Sequence, residues 1–507
     1  MIWMYEDLIG SAITFCANYK TMSDWQGKRV IVVGAARQGI ALTRYLARNG
    51  ASVVLNDRRN AAELQPAQHA LAGERVEWVL GDHPLSLLES ADVVCPSGGV
   101  PLSLPLIREA QRRGIPLAND SQLFLEAAPC KVIGITGSAG KTTTTTLVGR
   151  IARAAVQPEN GLDAMPGKGY RKVWVGGNIG NPLIDELAQM RADDLVVMEL
   201  SSFQLEVMTQ APDVAVVLNL SPNHLDRHGS MPAYIAAKAR ILDFQAAQDK
   251  VGESSYAVLN REDPQTWELA DRVRGRLVTF GLGRLKAGET GTFVAGDALY
   301  FQGEAGVAQI MTKDEVALRG EHNLLNVLAA CATASAAGLP LTAMHAGVLG
   351  FGDVPHRLEF VRTWGGADWY NDSIATAPER SLAALRSFEE PIVLLAGGRD
   401  KDLPWDDFAR FVAQRVDHLI LFGEAAGKIA GVVNAQGGTG QSITQCTGLK
   451  DAVMAAAKLV SSSRTLPGEE VEVRKVVLLS PGGTSFDEFR DFEDRGEAFK
   501  KWVMELP

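Results

Sequence analysis

Cysteine, positive charge and long apolar runs are all scarce in this chain, and each scarcity excludes a class of protein. The five cysteines among 507 residues are scattered and form no CxxC pair, which argues against a disulfide framework or a zinc site. A formal net charge of −10 argues against a nucleic-acid-binding protein. No apolar run is long enough to span a membrane, and acidic Glu6 and Asp7 stand where a secretory signal carries positive charge. We therefore predict a cytoplasmic protein without a membrane or nucleic-acid partner.

The length and composition are those of a globular chain with several domains. Hydrophobic residues make up 46% and charged residues 22% of the 507 positions. Strand and helix patterns alternate in three cycles, which begin at Lys28, at Lys131 and near Arg357. Repeated βα units of this kind predict an α/β protein with parallel sheets covered by helices. We predict an N-terminal extension over residues 1–22 and a polar loop over 156–172.

The sequence GITGSAGKTTTT, which starts at Gly134, carries the strongest functional signal. An apolar strand runs into a glycine-rich turn, and Lys141 and Thr142 then open a helix. Glycines let backbone amides surround a phosphate, and the lysine supplies a positive charge for it. The spacing departs from the strict GxxxxGK[ST] pattern, because Ile135 occupies the place of the first glycine. The segment predicts a P-loop, with the Thr142 hydroxyl suited to Mg²⁺.

Two further strands of the same cycle end in polar residues. Glu199 ends one strand, and His224 follows the next. A carboxylate at the carboxyl edge of a strand beside a P-loop is placed as a Mg²⁺ ligand. By itself His224 is more typical of a structural histidine, and Lys238, on a predicted helix, is more typical of the surface.

The first cycle carries a variant of the dinucleotide-binding fingerprint, Gly34-x-Ala36-x-x-Gly39, with Asp57 closing the second strand. Ala36 adds a methyl group where a pyrophosphate would approach the backbone closely. NAD is therefore not favoured, and a nucleotide-sugar fits at least as well.

Taken together, these motifs resemble those of the Mur ligases in order and spacing, and most closely those of members that add glutamate. The resemblance spans roughly residues 27–499. It is carried by these segments: GITGSAGKTT, VGGNIG, MELSSFQLE, NLSPNHLDRHGS, AAKARI, LRGEHNLLNVLAA, PHRLEF, NDSIATAPE, GGRDKD and SPGGTSFDEFRDFEDRG.

The resemblance implies three domains and one reaction. A Rossmann-like N-terminal domain, 23–129, would bind the UDP substrate, a central P-loop ATPase-type domain, 130–356, would bind ATP, and a Rossmann-like C-terminal domain, 357–507, would bind the amino acid. ATP would phosphorylate the carboxylate of UDP-N-acetylmuramoyl-L-alanine, and the amine of D-glutamate would attack the acyl phosphate. The implied cofactors are ATP and Mg²⁺, and the implied state is a monomer in peptidoglycan precursor synthesis.

The resemblance also assigns roles to individual residues. The catalytic residues would be Lys141, His224 and Lys238. The ATP site would comprise Gly137, Ser138, Ala139, Gly140, Lys141, Thr142, Thr143, Asn326, Arg357 and Asp372. The metal ligands would be Thr142, Glu199, His224 and Lys238, the last of these as a carbamate. The UDP substrate would contact Arg37, Gln38, Asp57, Arg58, Ser97 and Asn178. Glutamate would contact Thr376, Lys401, Ser485 and Phe492.

Departures from the family pattern leave alternatives open. Ile374 stands where many members have a lysine, and SPGGTS is richer in glycine than usual. Both bear on amino-acid specificity, so L-glutamate or another amino acid stays an alternative to D-glutamate. Further alternatives are a folate-type ligase, a nucleotide-binding regulator without catalysis and an NAD-dependent oxidoreductase. A folate-type ligase would not need the UDP-type site that the Gly34–Asp57 unit indicates. A regulator without catalysis or an oxidoreductase would not need Glu199, His224 and Lys238 together.

Overall fold

Three β-sheets organise the chain. The computed structural model describes residues 25–156, 169–245, 255–352, 355–436, 442–462 and 475–507. The predicted extension over 1–22 and most of the predicted loop over 156–172 lie outside the described residues. Within the described ranges, no helix has the length and apolar character needed to cross a membrane.

The first sheet has four parallel strands in the order β3-β2-β1-β4. Its strands are β1 Arg29–Val33, β2 Ser52–Asp57, β3 Val76–Leu80 and β4 Val93–Pro96. Its helices are α1 Arg37–Arg48, α2 Gln65–Ala70, α3 Pro105–Arg112 and α4 Asp120–Ala127. The apolar runs of β1 and β2 are buried because hydrophobic clusters lie on both faces of the sheet. The strand order is that of half a Rossmann fold.

The second sheet has nine strands in the order β13-β12-β11-β10-β9-β8-β5-β7-β6. Its strands are β5 Lys131–Thr136, β6 Val173–Gly177, β7 Leu195–Glu199, β8 Val214–Val217, β9 Tyr256–Asn260, β10 Arg276–Phe280, β11 Gly291–Ala295, β12 Ala298–Gly303 and β13 Gly306–Thr312. The helices are α5 Lys141–Val156, α6 Ser202–Leu205, α7 Leu225–His228, α8 Met231–Asp243, α9 Pro264–Trp267, α10 Glu321–Ala336 and α11 Leu341–Val348. The strands are parallel except for the pairs β11–β12 and β12–β13. The P-loop strand β5 therefore lies between β7 and β8, whose ends carry the predicted metal residues.

The third sheet has six strands in the order β14-β15-β19-β16-β17-β18. Its strands are β14 Glu359–Trp364, β15 Ala367–Asn371, β16 Ile392–Gly397, β17 Val416–Phe422, β18 Ser442–Gln445 and β19 Lys475–Gly482. Its helices are α12 Pro378–Leu385, α13 Asp406–Arg415, α14 Ala426–Asn434, α15 Leu449–Ser462 and α16 Phe492–Met504. Only β14 pairs antiparallel to its neighbour. The chain therefore brings the carboxyl ends of β15, β19 and β16 side by side.

The chain folds as two compact units. Of the described residues, those within Met1–Lys313 and Asn326–Val348 form the first unit, which holds the first two sheets, and those within Asp314–Leu325 and Leu349–Pro507 form the second unit, which holds the third. The prediction of three α/β domains is confirmed by the three sheets with their helices. The predicted domain boundaries stay predictions.

Candidate active site

A glycine-rich turn joins β5 to α5. Gly137 and Gly140 have φ angles of +157° and +80°, and a Cβ atom at Gly140 would lie 2.2 Å from Oδ1 of Asn326. Glycine is therefore required there for conformation and for space. Nζ of Lys141 donates hydrogen bonds to the carbonyl oxygens of Gly137 and Ser138 at 2.8 and 3.3 Å. A lysine over a turn that opens a helix is the arrangement that binds phosphate.

Asn219, which follows β8, holds this turn in place. Its Oδ1 accepts the N–H of Ala139 at 2.8 Å, and its backbone carbonyl accepts the N–H of Ser138 at 2.9 Å. The Ser138 hydroxyl also lies 2.9 Å from the Tyr234 hydroxyl. Neither Asn219 nor Tyr234 was among the predicted site residues, although Asn219 begins the segment NLSPNH. Contacts within the protein therefore hold the turn in this conformation.

A buried carboxylate lies next to this turn. Glu199, at the end of β7, is 2% exposed. Its Oε2 accepts from the Thr142 hydroxyl and its Oε1 from the Asn178 amide, each at 2.9 Å. The structure therefore brings the predicted metal ligands Thr142 and Glu199 together, and adds Asn178, which was predicted to contact substrate. Both donors to the carboxylate are neutral, and a hydroxyl and a carboxylate are oxygen ligands that Mg²⁺ prefers, so the donor set fits the ion.

The other two predicted ligands, Lys238 and His224, belong to later segments of the chain, and only Lys238 has a hydrogen bond to the phosphate turn among the contacts described. Lys238, on α8, is 1% exposed, and its Nζ donates to the Gly137 carbonyl at 2.9 Å and the Thr136 hydroxyl at 3.2 Å. Burial lowers the pKa of Lys238 well below its usual range; the charge of Lys141 lowers it further, and that of Glu199 opposes this. His224 has a φ of +55° and packs edge-on against Phe203. Lys238 is therefore a buried residue of the phosphate turn, which excludes the surface alternative.

The first sheet carries the predicted UDP residues around the loop after β1. Both oxygens of Asp57 are engaged: Oδ2 accepts the Ala35 N–H at 2.7 Å, and Arg59 donates to both oxygens. Burial acts to raise the pKa of Asp57, but hydrogen bonds from Arg59 and from the backbone of Ala35 and Arg59 lower it to about 2. Ser97 donates to the Gly34 carbonyl at 3.0 Å. These two residues thus shape the loop itself, while Arg58 is exposed.

Two arginines connect this region with the second sheet. Arg37 lines a cavity of about 510 Å³ with Arg44, Asn181 and Asp185 among its other walls. Arg227, on α7, donates to the carbonyls of Gly99 and Val100 at 3.3 and 3.2 Å, and its guanidinium lies 4.5 Å from the Phe203 ring.

Gln38 lies in the same region, because its side chain is next to Gly98: a Cβ atom added to Gly98 would be 3.3 Å from Oε1 of Gln38. Arg227 was not predicted, because nothing in HLDRHGS distinguishes it from a solvent-exposed arginine.

The predicted nucleotide residues divide between the two units. The turn over 137–143 and Asn326 belong to the first unit, and Thr143 is fully buried in α5. Arg357 and Asp372 belong to the second, where the Leu358 N–H donates to Asp372 at 3.2 Å.

Arg357 lies between two residues with left-handed backbone, His356 with φ +64° and Leu358 with φ +43°. Such strain is costly and is typical of functional segments.

The four predicted glutamate residues lie at the carboxyl edge of the third sheet and at the start of α16. Thr376 follows β15, Ser485 follows β19, Lys401 follows β16, and Phe492 begins α16. Nζ of Lys401 donates to the Thr376 hydroxyl at 3.4 Å, so these two residues are brought together. Ser485 is 2% exposed, whereas Lys401 is exposed.

The loop that carries Lys401 is fixed by its neighbours. Arg399 pairs with Glu424 through two hydrogen bonds of 2.8 and 2.9 Å, and Asp400 accepts from Trp405 at 3.0 Å and from Lys428. The ion pairs on either side thus hold the loop, with Lys401 directed to Thr376.

Family models match nearly the whole chain in three consecutive parts. Residues 28–119 match the Mur ligase MurD-like N-terminal domain, 135–334 the Mur ligase middle domain, and 356–503 the Mur ligase glutamate ligase domain.

Named relatives of high coverage agree with these matches. The UDP-N-acetylmuramoylalanine–D-glutamate ligases of Symbiobacterium thermophilum and Pelotomaculum thermopropionicum are 40% and 39% identical to this chain. The alignments cover 94% and 96% of this chain and 98% and 99% of the relatives.

Solved structures share the fold at lower identity. MurF from Acinetobacter baumannii has a TM-score of 0.54 at 17% identity, covering 96% of this chain and 93% of its own. UDP-N-acetylmuramate-alanine ligase MurC from Thermotoga maritima has a TM-score of 0.53 at 18% identity, covering 94% and 99%.

Proposed function

Because this chain belongs to the Mur ligase family, we propose that it joins D-glutamate to UDP-N-acetylmuramoyl-L-alanine while ATP is converted to ADP and phosphate. The observation that carries the proposal is the phosphate turn with Thr142, Glu199 and Asn178 hydrogen-bonded beside it. The relatives named for this reaction, 40% and 39% identical over nearly the full length, support the substrates. The reaction belongs to cytoplasmic peptidoglycan precursor synthesis.

The residues of the phosphate turn would stabilise the transferring phosphoryl group. Lys141 has a cationic Nζ over the turn, and the first amides of α5 point toward the same place. Thr142 and Glu199 would hold Mg²⁺, which when bound neutralises charge on the phosphate oxygens. A carboxylate is a poor electrophile, and phosphorylation gives it a leaving group, so positioning and charge neutralisation supply most of the catalysis.

Carbamylation of Lys238 is part of the proposal. The nitrogen of a neutral lysine attacks the carbon of CO₂ and releases one proton to solvent, which leaves an anionic N-carboxylate. Burial favours the neutral amine that this step needs, because it lowers the pKa of Lys238. The modified side chain would then be an anionic ligand beside the phosphate turn, with His224 as a further ligand.

Glutamate recognition is assigned to the second unit. Glutamate carries two carboxylates besides its reacting amine, and Lys401 offers one of them a cation. The Ser485 hydroxyl and backbone amides of the glycine-rich SPGGTSF turn would bind the other carboxylate. Arg357 and Asp372 would contact the adenine nucleotide, and Arg37, Gln38 and Arg58 the UDP group.

Phosphate release from ATP tests the function directly. The purified protein is incubated with ATP, Mg²⁺ and UDP-N-acetylmuramoyl-L-alanine, and D-glutamate, L-glutamate and other amino acids are added one at a time. We expect release above background with D-glutamate and none with Lys141→Ala, a folded control that lacks the phosphate-binding cation. Release with L-glutamate alone would identify the alternative specificity that Ile374 leaves open. No release with any amino acid would favour a nucleotide-binding regulator.

A further inference from the structure

A fully buried arginine lies beneath the predicted glutamate loops. Arg495, on α16, is 0% exposed. Its Nε donates to the Ser373 hydroxyl at 2.9 Å and its Nη2 to the Ser373 carbonyl at 2.8 Å. Both terminal nitrogens also donate to the Gly483 carbonyl at 3.2 Å. One side chain therefore ties together two loops that are separated by more than a hundred residues in sequence.

A third loop packs against the same guanidinium. A Cβ atom at Gly398 would lie 2.9 Å from Nη1 of Arg495 and 2.2 Å from the Thr484 carbonyl, so glycine lets this loop approach closely. The backbones of Arg399 and Thr484 then exchange two hydrogen bonds of 2.8 Å. Arg495 thus contacts the loops after β15, β19 and β16. Each loop carries one of the predicted glutamate residues: Thr376, Ser485 and Lys401.

The fourth predicted glutamate residue is connected to the same centre. Phe492 lies one helical turn before Arg495, and its carbonyl accepts the Ser373 hydroxyl at 2.8 Å. Ser373 therefore links Phe492 and Arg495 through one hydroxyl group.

Arg495 has no carboxylate among its hydrogen-bond acceptors in the described part of the chain. All four of its hydrogen bonds go to neutral oxygens, two carbonyls and a hydroxyl. Burial lowers the pKa of Arg495 to about 10, opposed by the charges of Asp487, Asp372 and Glu488, so the group is protonated at neutral pH. A buried cation is costly, and this one adds positive potential to loops that would bind a dicarboxylate.

We propose that Arg495 positions the glutamate-binding loops, so that Thr376, Lys401, Ser485 and Phe492 present their groups to the two carboxylates of the amino acid. Arg495 does not itself touch the substrate, because its guanidinium is buried beneath the loops. The inference rests on the proposed function and identifies what holds its amino-acid site together.

The test compares Arg495→Met with a matched control, Arg415→Met. Arg415 also belongs to the second unit and donates to two backbone carbonyls, those of Phe388 and Glu390, but at the amino end of β16. We expect Arg495→Met to raise the KM for glutamate at least tenfold and to leave the KM values for ATP and for the UDP substrate within about twofold. Arg415→Met should lower Tm and change none of the three KM values.

Two milder variants keep the test decisive if Arg495→Met does not fold. Arg495→Lys keeps the charge but loses the fork of donors, and Ser373→Ala removes one acceptor. Each should raise the glutamate KM severalfold with the other two unchanged. An unchanged glutamate KM, or an equal rise in all three KM values, would overturn the inference. Parent protein that releases no phosphate with glutamate would instead overturn the proposed function, and the inference with it.

Discussion

Lys238 shows how burial in the folded protein changes the role that its sequence position predicts. In the sequence Lys238 is typical of a solvent-exposed helix position, and only the family resemblance gives it a role. In the structure it is 1% exposed and hydrogen-bonded to the phosphate turn. Its chemistry therefore follows from long-range packing, which sequence spacing does not reveal.

We expect Lys238→Ala to lose at least 99% of ligase activity, because the anionic ligand is lost and the buried space is left empty. A short added carboxylic acid, such as acetate, should restore part of the activity by occupying that space. Incubation with ¹³C-bicarbonate should give a carbamate NMR signal in the parent and none in the variant. Full activity of Lys238→Ala would contradict the proposed role of Lys238 as an anionic ligand. Lys172→Ala is the control, because Lys172 is an exposed lysine directly before β6.

Asp372 gives a prediction for pH and stability. Burial raises its pKa from 3.8 to about 7, although the Ser480 hydroxyl, 2.8 Å away, and the charge of Arg357 act in the opposite direction. A carboxyl group with a raised folded-state pKa stabilises the fold fully below its unfolded pKa, near 4. This contribution is lost as the pH rises through about 7.

Asp372→Asn should therefore flatten the fall in stability between pH 5 and pH 8. Between pH 5 and a folded-state pKa of about 7, the fall in the parent has an upper limit of about 3 kcal/mol. Urea unfolding of the parent and the variant, followed by tryptophan fluorescence at both pH values, measures the difference. If the free energy of unfolding changes equally with pH in the parent and in Asp372→Asn, Asp372 does not have the raised pKa that its burial predicts. Asp417→Asn is the matched control, because Asp417, which is exposed, accepts the backbone N–H of Ile392 in the same unit.

At the scale of elements, the parallel strands that form continuous apolar runs were predictable from the sequence. Strands β1, β5, β16 and β19 all coincide with such runs. The antiparallel strands β11–β13 were not predicted, although Gly296-Asp297 between β11 and β12 is a recognisable two-residue hairpin signal. They fall outside the alternation of strands and helices from which the parallel sheets were predicted.

The parts of the candidate site that consist of contiguous residues could be predicted from the sequence. The parts formed by residues far apart in the chain could not. The phosphate turn is contiguous, so Gly137–Thr143 could be identified from sequence. Arg495 and Ser373 are 122 positions apart, and no sequence pattern relates them. Arg227 is hidden for the same reason, since its partners Gly99 and Val100 belong to another sheet.

The phosphate turn also gives a prediction at this scale. Gly140→Ala should weaken ATP binding at least tenfold, because the added Cβ atom would lie 2.2 Å from Oδ1 of Asn326 and would displace the turn. Gly114→Ala is the matched control: its φ is +70°, close to the +80° of Gly140, but no atom lies within 4 Å of the new Cβ. Titration calorimetry with ADP measures both. Equal ADP affinities for the two variants would contradict the prediction that a side chain at position 140 displaces the phosphate turn.

At the scale of the whole molecule, buried amides join the first two sheets. Asn119 donates to the Gln204 carbonyl at 2.8 Å, and Gln204 donates to the Ser121 hydroxyl at 2.7 Å. Gln122 accepts the Thr209 N–H at 3.2 Å. Asn119 and Ser121 belong to the segment after the first sheet, and Gln204 follows Glu199 on α6. The segment that follows Glu199 is thus fixed to the segment that follows the first sheet.

Gln204→Leu should lower the free energy of unfolding by about 1–3 kcal/mol, because Ser121 and Ser201 lose a buried partner. Gln189→Leu, an exposed control, should change it by less than about 0.5 kcal/mol. Chemical denaturation measures both. A Gln204→Leu protein as stable as the parent would mean that this network does not stabilise the first unit.

The same buried amides restrict how enzymes of this kind can be recombined. A hybrid that takes the domain of the first sheet from one species and the domain of the second sheet from another keeps this contact only if residue 204 of one domain can still donate to residue 121 of the other. Hybrids that exchange these positions together should express in folded form more often than hybrids joined only at a convenient loop. We therefore expect specificity for the UDP substrate to be transferred between such enzymes only when part of the domain of the second sheet is exchanged as well.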